Sequence, residues 1–322
     1  MHVLVTGAAG FLGRALVHAL RVGHHVVATD RDGGDIADPA HVKKLFATPI
    51  DRVFHLAAVV SGAAEADYDA GRRVNLDATL LLLEACRAQA RNGGPVVRFV
   101  QASSIAVFGT PLPPRIDDTT PPAPTLSYGT HKRVAELLID DLSRRGEIDG
   151  RALRLPDIVV RPPLANGALS AFNSDVIREP LAGRDYVCPV GPEATIWVAS
   201  RHSAIANLLH LADVYPKALG AARAVTAPAL AVSIAEIVAA LGRADAGAPA
   251  RVRFQPIPPI EAQFGRWPRD ASFARARALG LVGDDSIDAI VREHASPVIP
   301  SEAKDLGSTN DGILRSAQDD KT

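Results

Sequence analysis

Cysteine is almost missing from this 322-residue sequence, where Cys86 and Cys188 stand alone. They form neither a zinc-ligand spacing nor a disulfide framework, which fits a reducing compartment and a cytoplasmic protein. An excess of one charge is missing too. The formal net charge is −1, so no basic surface suggests nucleic acid and no asymmetry suggests a membrane surface. No apolar run reaches the ~18 residues of a spanning helix. The first residues lack a basic segment followed by an apolar stretch and a small-residue cleavage site. There is no internal repeat and no metal-ligand cluster. Hydrophobic residues at 47% and charged residues at 22% describe a soluble protein of enzyme size, with ample core for one large or two modest domains.

The N-terminus carries the first motif. Residues 2–6 read as a short buried strand. Gly7-Ala8-Ala9-Gly10-Phe11-Leu12-Gly13 follows, and then a helical pattern through Leu16 and Leu20. This order suits a dinucleotide: Gly7 for a tight turn, Gly10 for approach of the pyrophosphate, and Gly13 for packing of helix on strand. The helix start offers free N–H groups to phosphates. A second strand, His25 to Thr29, ends in Asp30, where a carboxylate would accept ribose hydroxyls and repel a 2′-phosphate. Asp30 therefore argues for NAD over NADP, with Asp35-Ile36 bordering the adenine. The strand Val53-Phe54-His55-Leu56-Ala57-Ala58 closes on small residues that let a cofactor cross its end. His55 reads as structural. Ser61-Gly62 begin a loop on the same side, and Asn75 opens a helix running to about Ala90.

The stretch from Ser103 to Lys132 carries the chemistry. A strand from Pro95 to Gln101 delivers Ser103-Ser104 at its carboxyl end. After a proline-rich loop, Tyr128 and Lys132 sit four apart, which places them on one helix face. A cation favours the phenolate over the phenol, so Tyr128 becomes a candidate proton acceptor and Ser104 a hydroxyl for the same substrate oxygen. The next strand spans Ala152 to Val160.

Strand and helix alternate for about 160 residues, which predicts a doubly wound parallel α/β sheet. The expected division is 1–162 as a dinucleotide-binding Rossmann domain and 163–296 as a smaller, interleaved α+β substrate domain. Residues 196–227 are expected to return to the sheet. Residues 163–195 look irregular, with Asn166, Asn173 and Arg178 among them. Ser233 with Glu236 forms a helix-start pattern. Residues 297–322 turn polar without a period and read as a disordered tail.

In chain order, TGAAGFLG, Asp30, HLAA, Asn75, SSIAVFG, YGTHK and LRLPDIVVRP together resemble the extended short-chain dehydrogenase/reductases, the NAD-dependent epimerase/dehydratase family. The resemblance runs from residue 1 to about 295. It implies Ser104, Tyr128 and Lys132 as catalytic residues, with Asn75 supporting the active-site helices. It implies cofactor contacts at Gly7, Gly10, Phe11, Leu12, Gly13, Asp30, Asp35, Ile36, Leu56, Ala57, Ala58, Asn75, Tyr128, Lys132, Pro156 and Ile158.

Longer stretches, HLAAVVSGAAEADYDAGRRVNLDAT and FNSDVIREPLAGRDYVCPV among them, resemble the branch that oxidises the C2 hydroxyl of D-erythronate-like four-carbon aldonates. Asp157 and Pro163 stand where that branch carries Thr and Gly. An acid substrate needs a cation. Arg178 is the first candidate, before Arg201 and Arg161, and Ser61, Asn173 and Thr195 are weaker substrate contacts. The expected assembly is a homodimer acting on a small sugar acid. The alternatives are a sugar-nucleotide epimerase and a non-catalytic cofactor-binding regulator. Dehydratases of the family carry Thr-Asp-Glu where this chain has Ser104-Ile105-Ala106, and a regulator has no use for Tyr128 and Lys132.

Overall fold

A computed structural model describes residues 1–163 and 169–295. Asn166 and the tail at 297–322 lie outside the described residues. Among the described residues, six parallel strands form the central sheet, in the order Ala224–Thr226, Asp149–Leu155, Arg98–Ser104, Arg52–His55, His2–Thr6, His25–Thr29. Helices cover both faces, so its strands are apolar on both sides. In His2–Thr6, Val3 and Val5 pack with Leu16 and Leu20 of the helix Phe11–Arg21. Leu4 faces the other way, toward Leu82, Leu83 and Cys86 of the helix Ala78–Arg91. That is the period-two alternation of a strand between two helical layers. The chain order reverses between His2–Thr6 and Arg52–His55, and their carboxyl ends open the crevice where such sheets place ligands.

The expected strand from Ala152 to Val160 is two strands in different sheets. Pro156 supplies no N–H for a ladder. Asp149–Leu155 stays in the main sheet, and Asp157–Val159 pairs with Thr195–Ser200. Thr195–Ser200 carries Leu230–Ser233 on its other edge, while the helix Arg201–Asp213 leads back toward Ala224–Thr226, the edge strand of the main sheet. Among the described residues, 169–195 are more regular than their sequence suggests. They contain the helix Phe172–Leu181 and the strand Tyr186–Cys188, and Pro180 inside that helix hides its period. Ser61 starts a helix, Ser61–Ala66, rather than a loop. Ser233 and Glu236 make a reciprocal capping box.

An aromatic cluster ties the C-terminal segment to this second layer. Fully buried Trp197 meets Trp267 at 5.0 Å and Phe273 at 5.2 Å between ring centroids. Its indole N–H donates to the Pro268 carbonyl at 2.7 Å. Such aromatic pairs add about 0.5–1.5 kcal/mol beyond their buried area. Among the described residues, no helix is long and apolar enough to cross a membrane.

Candidate active site

A cavity of about 970 Å³ lies over the carboxyl ends of the central strands. It is at the upper end of the ~300–1,000 Å³ range of ligand pockets. The glycine turn forms one end. Gly7 has φ +69°, and a Cβ there would sit 2.7 Å from the Ala57 nitrogen, so the turn and the end of Arg52–His55 touch as backbone. A Cβ on Gly13 would collide with the Gly7 carbonyl, so helix and turn also pack without side chains between them. Gly10 differs. Its Cβ would meet only the Gly7 oxygen, at 3.1 Å, and no side chain caps the helix that follows. Gly10, Phe11, Leu12 and Gly13 line the cavity, so the uncapped helix start is open to an anionic group there.

Asp30 accepts from Ala9 N–H at 2.9 Å and Arg31 N–H at 2.8 Å. This carboxylate is thus fixed to the glycine turn, with lone pairs left for further donors. Asp35 and Ile36 line the same end. The Asp35 carboxyl is held below its usual range, first by the Ala37 N–H and then by ion pairing with Arg73.

Behind the turn runs a buried polar strut. Fully buried His55 sits between Thr6 Oγ1 at 2.6 Å and Thr79 Oγ1 at 2.9 Å. Burial, with the Lys132 charge added, pushes its pKa down to about 3, so the ring is neutral. The Thr79 hydroxyl donates to the Asn75 carbonyl at 2.9 Å. It therefore accepts from His55, which places the ring proton on Nε2. His55 is structural, as expected. Asn75 lies in a π-helical turn, Arg73–Asp77. Its side-chain amide accepts from Val59 N–H at 2.8 Å and donates to Val59 O at 2.9 Å. Asn75 does not line the cavity. It clamps the segment after Ala58, which does.

The expected catalytic residues converge at the other end. Gly129 makes this possible, because a Cβ on it would strike the Ala106 carbonyl. The helix Ser127–Arg144 therefore seats directly on the Ser104–Ala106 turn. Ser104 is the hydrogen-bonding neighbour of the Tyr128 phenol, and Ser104, Tyr128 and Lys132 all line the cavity. The electrostatics differ from the sequence expectation. Desolvation pushes the Tyr128 phenol up to about 12, outweighing the opposing pull of Ser104 and Arg161. Lys132 lies 5.6 Å from the Tyr128 ring centroid and is 1% exposed. Burial pushes its ammonium down to about 8, against the pull of Glu136.

Glu136 carries no motif, although its spacing of four from Lys132 is a legible signal. It is fully buried and accepts from Ser103 Oγ at 2.7 Å, Arg154 Nε at 2.9 Å, Arg154 Nη2 at 2.8 Å and Arg133 Nη1 at 3.1 Å. The bidentate Arg154 contact is the strong form of this interaction. It ties the Ser103-Ser104 strand end to the Tyr128 helix.

The candidate arginines lie differently from the expectation. The Arg178 guanidinium is spent on the Arg161 carbonyl, on Asp175 and, at 2.9 Å, on Glu179. It does not line the cavity, and neither does Arg201, which lies over the Phe11 ring at 5.5 Å. Arg161 does line the cavity, near Tyr128, Asp157 and Ser170. Its main chain is pinned by the helix Phe172–Leu181, its N–H donating to Ser174 Oγ at 3.1 Å and its carbonyl accepting from Arg178. Asn173 is fully buried behind Asp157, off the cavity wall. The Thr195 hydroxyl is committed to the Trp267 carbonyl at 2.6 Å. Ser61, Pro156 and Ile158 line the cavity, and Gln263, Phe264 and Trp267 close it from the C-terminal segment. Those last three carry no motif; Trp267 is placed by packing on Trp197, and Gln263 accepts from Thr110 Oγ1 at 3.1 Å.

Glycine turn, strand-end acid and Tyr–Lys helix on one parallel sheet define a nicotinamide-dinucleotide site. Residues 3–213 match the NAD dependent epimerase/dehydratase family, and the chain belongs to it. Within that family it is 42% identical over 320 residues to the D-erythronate dehydrogenase of Cupriavidus necator, covering 91% of this chain and 98% of that one. It is 34% identical over 313 residues to the D-erythronate dehydrogenase of Haemophilus influenzae, again covering 91% and 98%. The crystal structure of a nucleoside-diphosphate-sugar epimerase from Agrobacterium tumefaciens has the same fold, with a TM-score of 0.84 and 37% identity over 91% of this chain and 93% of that one.

Proposed function

We propose that this protein is an NAD-dependent dehydrogenase that oxidises the C2 hydroxyl of a D-erythronate-like four-carbon aldonate to the 2-oxo acid. The observation that carries this reading is that Tyr128, Ser104, Lys132 and Arg161 line one cavity, with Ser104 and the Arg161 charge both acting on the Tyr128 phenol. The relatives of matching length bear names that agree with it. Arg161 takes the substrate carboxylate, Ser104 donates to the C2 oxygen, and the Tyr128 phenolate accepts its proton. When bound, the dinucleotide supplies the acceptor for the C2 hydride. Purified protein with NAD should raise the reduced-nicotinamide absorbance on four-carbon aldonates. Interconversion of sugar nucleotides without net reduction of NAD would replace this reading with epimerisation.

The choice of NAD over NADP rests on Asp30. Its anchored carboxylate accepts ribose hydroxyls and repels a 2′-phosphate. Asp30→Ala should weaken NAD by about 10- to 100-fold, the worth of hydrogen bonds to a charged group, and lessen the rejection of NADP. Catalytic efficiencies with both dinucleotides check this, and a wild-type preference for NADP refutes it.

The carboxylate clamp gives a second test. Arg161→Lys should raise KM for the aldonate about tenfold with a smaller change in kcat, because an ammonium cannot reproduce the planar two-point contact. Unchanged KM removes Arg161 from the substrate site.

The working assembly in this reading is a cytoplasmic homodimer. Leu80 on the helix Ala78–Arg91 and Leu137 on the helix Ser127–Arg144 are 37% and 50% exposed, which suits burial against a second copy. Light scattering should return twice the chain mass, and Leu137→Glu should shift it to one.

A further inference from the structure

The Tyr128 end of the cavity holds one acid among the described residues, Asp157, and it stands beside the guanidinium proposed to hold the substrate. Both come from the same short segment. Asp157 opens the strand Asp157–Val159, and Arg161 follows that strand. Pairing with Val198 fixes the backbone of Asp157, and Ser174 and Arg178 fix that of Arg161. Neither can withdraw without disturbing the second sheet. A carboxylate ligand on Arg161 therefore comes within electrostatic reach of a second carboxylate that has nowhere to go. Two carboxylates at one site do not both ionise without cost, and the usual outcome is that one keeps a proton.

The neighbours of Asp157 leave it free to play this part. From the helix Ser127–Arg144 it faces the Tyr128 phenol, with the Lys132 ammonium on the same wall. From the helix Phe172–Leu181 it faces the Asn173 amide. That amide has no strict hydrogen-bond partner among the described residues, so it offers the carboxylate weak support. The charges on that helix are occupied elsewhere, since Arg178 is paired with Asp175 and Glu179. Arg201, on the helix packed behind the strand, lies over Phe11. Among the described residues, Arg161 is thus the one cation that clearly favours ionised Asp157, and burial overrides it, raising the carboxyl to about 6.

We propose that Asp157 is a specificity-determining residue that links binding of the aldonate to uptake of one proton. Protonated, it leaves the Arg161 guanidinium to the substrate carboxylate and can donate to a substrate oxygen. Ionised, it competes for Arg161 and repels the substrate. The inference deepens the dehydrogenase reading and rests on it. The sign follows from the binding-competent form. Affinity is full below the pKa of free Asp157 and is lost as pH rises through it, because the ionised form must take up a proton before the acid can bind. Lys132, which sheds its own proton near pH 8, contributes a later loss that does not depend on Asp157.

The test is the pH dependence of KM and of kcat, taken separately, on a four-carbon aldonate with saturating NAD. For the wild type, KM should rise by up to about tenfold per pH unit between pH 6 and 8, with kcat not falling in parallel. Asp157→Asn keeps the shape and removes the charge, so its KM should stay low and nearly flat over that interval. Calorimetry of wild-type binding in buffers of different ionisation enthalpy should register close to one proton taken up at pH 7, which keeps the test decisive if the variant fails to fold. A wild-type KM that is flat from pH 6 to 8, equal slopes in wild type and Asp157→Asn, or no proton uptake would each overturn the proposal while the dehydrogenase reading stands. Absence of aldonate oxidation at any pH would remove both.

Discussion

Tyr128→Phe should lower turnover by about 10²–10⁴-fold, the usual worth of a positioned general base, while binding of the dinucleotide is largely retained. The variant removes one oxygen from the cavity wall and leaves the glycine turn, Asp30 and Lys132 in place. The structure makes the prediction sharper than the Tyr–Lys spacing does. Desolvation holds the phenol near 12, so at neutral pH the phenolate is a minor species. Turnover should therefore climb with pH, in proportion to the phenolate fraction, until Lys132 begins to lose its charge at about pH 8. Fluorescence titration with NADH separates binding from chemistry. A Tyr128→Phe enzyme that oxidises its substrate at near wild-type rate would sink the mechanism.

Lys132→Met should cost turnover on the same scale and yet make the protein more stable. A buried ammonium whose pKa falls from 10.5 to about 8 is a group that the unfolded chain holds in its charged form more easily. A tenfold change in proton affinity is worth about 1.4 kcal/mol, so the charged lysine costs the fold about 3 kcal/mol below pH 8. The sign is that of a lysine with a depressed pKa. Between pH 8 and 10.5 the unfolded chain binds more protons than the folded one, so this group makes stability rise with pH through that window. Methionine fills similar space without the charge, and Glu136 keeps Arg154 and Arg133 as partners. The variant should melt several degrees higher at pH 7 and lack the rise between pH 8 and 10. In any residual activity the alkaline pKa should move upward, because the phenol has lost its nearby cation. A variant that melts lower than wild type at pH 7 contradicts the account. The gain in stability on losing a functional charge is the familiar trade between site and scaffold.

Several site residues are legible in the sequence because their chemistry is local. The glycine spacing of residues 7–13 belongs to one turn, and the four-residue step from Tyr128 to Lys132 belongs to one helix face. Two elements that differ from expectation have local causes as well. Pro156 breaks what reads as one strand, and Pro180 masks the period of the helix Phe172–Leu181. Arg178 outranks Arg161 in the sequence for a different reason. Arg178 lies in a stretch that resembles the aldonate-oxidising branch, and nothing in the order of residues shows that Asp175 and Glu179, three before and one after Arg178, consume its donors.

The sequence by itself determined the parallel sheet, the glycine turn and the placing of Tyr128 and Lys132 on one helix face, since strand alternation, glycine positions and helical spacing act over a few residues. Only the tertiary structure decided which arginine lines the cavity, that burial rather than charge governs the ionisation of Tyr128 and Lys132, and that Trp267 closes the cavity. Those outcomes depend on desolvation and on partners contributed from distant parts of the chain, and both arise only when the second layer packs over the carboxyl ends of the strands.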